Sequence, residues 1–181
     1  MAQAKWDFDP VHSSIGFSVR HLMVAKVKGQ FLKWSGTLSL DEADVTNSEV
    51  EATIEAASID TREPKRDEHL RSADFFDAAN HPALAFESTR VEKLSAESYK
   101  VSGTLTIRGV AKPVVLVAEF LGKGKDPWGG TRLGFSARTS IDRRDFGLTF
   151  NIPLDGGGVV VGDKVDIEIE VEAVKAVAAP K

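Results

Sequence analysis

Four histidines, His12, His21, His69 and His81, are the side chains best suited to proton transfer or metal binding near neutral pH. No two of them stand at the close spacing of a helical or strand metal clamp, and the chain has no cysteine. Disulfides, thiol nucleophiles and thiolate metal sites are therefore excluded, and no metal or cofactor is expected. Each histidine reads as structural or hydrogen-bonding, with one exception. His21 shares strand parity with Ile15, Phe17 and Val19, which points it toward an enclosed side where an imidazole can meet a polar head group.

Arg143-Arg144-Asp145 admits two readings. One is a solvated charge cluster at a strand end. The other is a phosphate clamp, with Arg143 offering a bidentate fork. Asp67, Glu68 and Asp74 could be acid–base pairs, but they lie in a highly charged segment where solvation explains them. Ser13 and Ser14 follow His12, yet neighbours on a strand face opposite ways, so no nucleophile meets its base. There is no Gly-x-Ser-x-Gly elbow, phosphate loop or dinucleotide fingerprint, and Lys123-Gly124-Lys125 reads as a loop. No reaction is named by these residues, and a non-enzymatic role is expected.

The elements that carry them are strands. Val165 to Glu172 alternates apolar and acidic residues without a slip, giving one aliphatic face and one row of carboxylates. Similar alternation predicts strands over 14–21, 30–40, 49–57, 84–94, 99–107, 113–121, 132–142 and 163–173, with a short one at Trp6-Asp7-Phe8. Residues 113–121 are apolar on both faces, so a cover is expected outside them. Segment 62–79 lacks alternation. Pro64 suits a helix start and Asp74 a second cap, with Phe75 and Phe76 as anchors of a helical lid. Asp155-Gly156-Gly157-Gly158 reads as a flexible turn. One domain is expected over 1–174, and 175–181 as a disordered tail.

The chain has 181 residues, 42% apolar and 28% charged, enough for one sizeable core. Its net charge of −4 argues against a nucleic-acid partner. Residues 1–5 show no basic or apolar leader pattern, so a cytoplasmic location is expected, or a periplasmic one for a mature form.

Eight long antiparallel strands make a sandwich or a barrel, and a barrel of eight can hold one slim ligand. Two hexapeptides, Ser35 to Leu40 and Ser102 to Ile107, echo each other and put Gly36 and Gly103 on the apolar face, where a missing side chain leaves room. The expected lining is Phe17, Val19, Phe31, Leu38, Phe86, Gly103, Leu105, Ile107, Phe135, Phe150 and Ile167, with His21 and Arg143 at the ends. Trp34 and Trp128 are expected near the ends or outside.

An ordered set of motifs spans about Trp6 to Glu172. It opens with Trp6-Asp7-Phe8-Asp9-Pro10-Val11-His12-Ser13, continues through Ser58-Ile59-Asp60-Thr61, Arg66-Asp67-Glu68-His69-Leu70, Phe75-Phe76-Asp77 and His81-Pro82, and ends with Gly103 to Val110 and Arg143 to Leu148. The set resembles the YceI-like, polyisoprenoid-binding family. The resemblance implies an all-β, lipocalin-like antiparallel barrel holding an amphiphilic isoprenoid, such as a polyprenyl phosphate or quinone, for storage or transport. The alternatives are an enzyme acting on a lipid in the same cavity and a stress-related interaction module without a ligand. Transient membrane contact and a homodimer are further expected partners.

Overall fold

The computed structural model describes residues 3–152 and 160–176. Its strands are β1 (Ala4–Phe8), β2 (Ser14–His21), β3 (Ala25–Phe31), β4 (Trp34–Leu40), β5 (Glu49–Glu55), β6 (Ile59–Asp60), β7 (Ala83–Lys93), β8 (Ser98–Ile107), β9 (Val110–Lys125), β10 (Thr131–Asp142) and β11 (Val161–Lys175). A helix, α1 (Pro64–Arg71), lies between β6 and β7. The ring β1-β4-β5-β7-β8-β9-β10-β11 closes on itself through β1–β11 pairing, and every pair is antiparallel. Closure leaves eight strands with no open edge in the ring.

The predicted alternation sets the register. Val165, Ile167, Ile169 and Val171 of β11 face inward, while Ser140 of β10 binds the outward Asp166. A slip of one residue would turn the carboxylates into the apolar interior. β11 is shared by two partners. Its end, Ala173–Lys175, pairs with β1, and Val161–Glu170 pairs with β2. β1 and β2 are thus one wall strand broken at residues 9–13. Likewise the predicted strand 30–40 is broken between Phe31 and Trp34, and β3 extends back to Ala25.

The 9–13 elbow is stitched by charge. Arg132 Nη1 donates to Asp9 Oδ2 and to Glu172 Oε1, each at 2.8 Å, and its Nε donates to Asp126 Oδ2 at 2.9 Å. Ser13 Oγ accepts from Glu172 N. Asp9 also accepts from Val11 N and bonds the His12 ring. Trp6, fully buried, anchors a core cluster at this end with Leu38, Leu40, Leu133 and Ala173. The larger cluster, around Phe31, Ile54, Phe75, Phe86 and Phe146, fills the other end.

Several expectations are corrected. β9 runs through Lys125, so Lys123-Gly124-Lys125 is strand rather than loop. Nothing among the described residues covers the outer face of β9, where Val115 and Leu121 are exposed. β11 extends through Lys175, which pairs with Trp6, and Ala176 N donates to Lys5 O, so pairing continues past 174. The glycine run at 155–158 and residues 177–181 lie outside the described residues. No helix among those described is long and apolar enough to cross a membrane.

The His12 ring and then Arg132 hold the Asp9 carboxyl down, from an ordinary 3.8 to about 2. A carboxyl lowered in the folded chain stabilises fully above its ordinary value, and that contribution fades as pH falls toward 2. Asp9→Asn is expected to lower Tm near neutral pH by about 2–6 °C. The gap to the unmodified chain should shrink between pH 4 and 2. Thermal melts across that range measure it.

Candidate functional site: the barrel lumen

The inward faces of the strands enclose an elongated cavity of about 280 Å³. It reaches from Leu38 and Leu40 near the Trp6 end to Phe146 and Leu148 at the other, and the surface it presents is wholly apolar. Ten of the thirteen residues expected at the site line it: Phe17, Val19, Phe31, Leu38, Phe86, Leu105, Ile107, Phe135, Arg143 and Ile167. The other three do not. His21 closes β2 opposite Val161 and Ala25, outside the lining. Phe150 packs edge-on to His69 and Phe75, centroids 4.8 and 5.3 Å away, sealing the end rather than lining it.

Gly103 is the third correction. It faces inward, but the Phe86 ring occupies the space above it. A Cβ there would stand 2.5 Å from Phe86 Cζ and from Glu87 O. Gly36, its counterpart in the echoing hexapeptide, sits likewise under the Phe8 ring. Both glycines make room for a neighbouring aromatic, not for a ligand. Trp34, the first residue of β4, lines the lumen beside Phe8, and Trp128 is exposed.

The lid is built from the segment 62–79. Pro64 opens α1 and Glu63 caps it by accepting from Lys65 N. Asp67 is buried, not solvated. Its Oδ1 accepts from Thr61 N at 2.8 Å and Thr61 Oγ1 at 2.5 Å, while Arg66 donates to Thr61 Oγ1 and O. Asp74 caps no second helix. It binds His69 Nε2 at 2.8 Å, leaving Glu68 exposed. The helix therefore hangs on β6 by one buried carboxylate–threonine knot. Beyond it Leu70, Phe75 and Phe76 point into the lumen, and Phe76 meets Phe31 edge-on at 5.7 Å. Arg108, on the β8–β9 turn, donates to Phe75 O. The motif residues Thr61, Arg66 and Asp67 fix the lid. Nothing in strand alternation signals that role.

Arg143 overturns both sequence readings. It is 5% exposed, and its guanidinium donates to the carbonyls of Gly162, Leu148, Phe150 and Val161, with Asp163 at 3.6 Å. Burial lowers its pKa against the opposing pull of Asp163 and Asp142. Four of its five N–H donors are committed to backbone carbonyls, leaving no bidentate fork for a phosphate. Arg144 is the solvated member, paired with Asp142 and Asp163. Among the described residues, Asp9, His12 and Glu172 form the one group that could hold a metal. Asp9 and Glu172 converge instead on Arg132, and the His12 ring bonds Asp9.

The YceI-like domain matches residues 6–173. A UPF0312 protein of Photorhabdus laumondii is 41% identical over 174 residues, covering 96% of this chain and 87% of its own. The crystal structure of a Campylobacter jejuni YCEI protein is 37% identical, with a TM-score of 0.74 over 87% of this chain and 90% of that one. A polyisoprenoid-binding domain from Saccharophagus degradans, 17% identical, shares the fold at a TM-score of 0.66, over 96% of this chain and 99% of its own.

Two substitutions separate packing from binding. Gly103→Leu is expected to cost about 1–3 kcal/mol by overpacking against Phe86. Arg143→Met should cost about 3 kcal/mol or more, because buried carbonyls lose a charged donor. Urea denaturation of both variants reads these losses. A Gly103→Leu chain as stable as the parent would show that the Phe86 ring does not hold that space.

Proposed function

The chain belongs to the YceI-like family, and from that premise we propose that it binds a long-chain amphiphilic lipid of the isoprenoid class in the lumen, as a carrier or store. The observation that carries the reading is the wholly apolar surface of the lumen beneath an aromatic lid. The polyisoprenoid-binding domain of Saccharophagus degradans, with the same fold, supports the ligand class.

The lumen's lining is apolar from one end to the other, so it takes the hydrocarbon part of the ligand. Burying ten methylenes contributes about 8 kcal/mol, which only just offsets the cost of association. A longer isoprenoid gains more contact along the lumen and against Phe75 and Phe76 at the lid. The polar head group then lies outside the lumen, since Arg143 is committed to carbonyls and the walls offer it no donor. Binding without catalysis is the role proposed, because no inward residue among those described pairs a nucleophile with a base.

Ala137 lines the lumen at mid-height, level with Ala118 and Ile169 on the neighbouring strands. Ala137→Phe should fill the free space and cut isoprenoid affinity by about tenfold or more, with little loss of apo stability. Solvent extraction with mass spectrometry, and Tm shifts on adding polyprenyl lipid, test it. Absence of any extracted amphiphile together with no Tm shift in the parent chain would refute the binding proposal.

A further inference from the structure

The β2–β3 hairpin ends in an exposed apolar tip. Leu22, Met23 and Val24 are 41%, 45% and 86% exposed, three consecutive large apolar residues with no cover among the described residues. Solvent-facing runs of this kind are disfavoured unless they meet a partner. The turn itself is costly for these residues. Val24 N donates to His21 O, and both central residues sit at positive φ, 52° for Leu22 and 62° for Met23. Asn-Gly is the pair such a turn prefers.

The hairpin is also the cationic part of an acidic chain. Between Pro10 and Leu40 there are four cations, Arg20, Lys26, Lys28 and Lys33, and no carboxylate, although the whole chain carries −4. Arg20 and Lys26 stand directly opposite each other across the two strands, an unfavourable like-charge pair. Lys26 has only a 3.8 Å contact to Asp166, and Arg20 and Lys28 form no ion pair among the described residues. On β11, Asp163 and Asp166 stand level with the hairpin's cations, and Glu168 and Glu170 follow farther from the tip.

The tip stands at the lid end of the barrel. Leu22 N donates to Val160 O, and Val160 N donates to the carbonyl of exposed Ile152. Arg143 ties the next residue, Val161, to Phe150, which packs on His69 and Phe75 of the lid segment.

We propose that this hairpin is a docking element for an anionic lipid bilayer: Leu22, Met23 and Val24 enter the interface while Arg20, Lys26 and Lys28 meet the lipid phosphates. The inference rests on the lumen-carrier reading for its purpose, since docking would set the lid end against the membrane from which a lipid is taken. Apolar burial and attraction to anionic head groups are the two contributions such elements combine.

The test uses the full chain and vesicles of phosphatidylcholine with or without phosphatidylglycerol. The parent should sediment with the anionic vesicles, less so as salt rises. Leu22→Asn combined with Met23→Gly suits the turn, leaves the lumen untouched and should keep the fold. This double variant is expected to bind vesicles about tenfold or more weakly, while polyprenyl lipid still raises Tm as in the parent. Lys26→Glu with Lys28→Glu should abolish the preference for anionic vesicles. Failure of the parent to bind anionic vesicles, with lumen binding intact, would overturn docking and leave the carrier reading standing. Vesicle binding by the double tip variant at parental strength would also overturn it. So would self-association that the tip substitutions abolish without any vesicle binding, because the tip would then serve a second copy of the chain.

Discussion

The register of β11 is the constraint on which the structure depends. Val165, Ile167, Ile169 and Val171 face the lumen, and the carboxylates between them face away from it. A slip of one residue against β10, β2 and β1 would turn those carboxylates into an apolar interior, so the sheet closes with this parity. Closure then defines everything inside it: a cavity whose shape follows the inward side chains, and an end that needs a lid. The Arg132 cluster matters because it holds the broken wall strand β1–β2 against the one strand that both halves share.

Strand alternation made most of the barrel legible. Seven of the predicted strands coincide closely with β2, β5, β7, β8, β9, β10 and β11, and the short one at Trp6 is β1. The eighth, over 30–40, concealed β3. In Ala25–Phe31 only Val27 and Phe31 are large inward residues, Gly29 lies under the Phe17 ring, and lysines fill the outer face, so the apolar half of the pattern is thin. Side-chain roles were less legible than strand positions. Parity correctly placed Gly103 inward but could not show that the Phe86 ring, from the neighbouring strand, covers it. Arg143 and Asp67 read as surface charges because their partners are backbone groups and a threonine, which leave no charge pattern in the sequence.

A lumen this apolar separates the two halves of an amphiphile. The chain is favoured inside by hydrophobic burial, while a charged head would lose its hydration there without finding a donor. The lid, held by Thr61, Arg66 and Asp67 and closed by Phe75, Phe76 and Phe150, is therefore where the two halves part.

Methyl NMR of the isoleucines, during titration with a soluble short-chain polyprenyl lipid, tests the central claim most directly. Ile54, Ile107, Ile141, Ile167 and Ile169 line the lumen, and Ile152 is exposed. The account predicts saturable shifts at the lumen methyls in one binding event. Shifts at Ile152 alone, with the lumen methyls unmoved at saturating lipid, would contradict it.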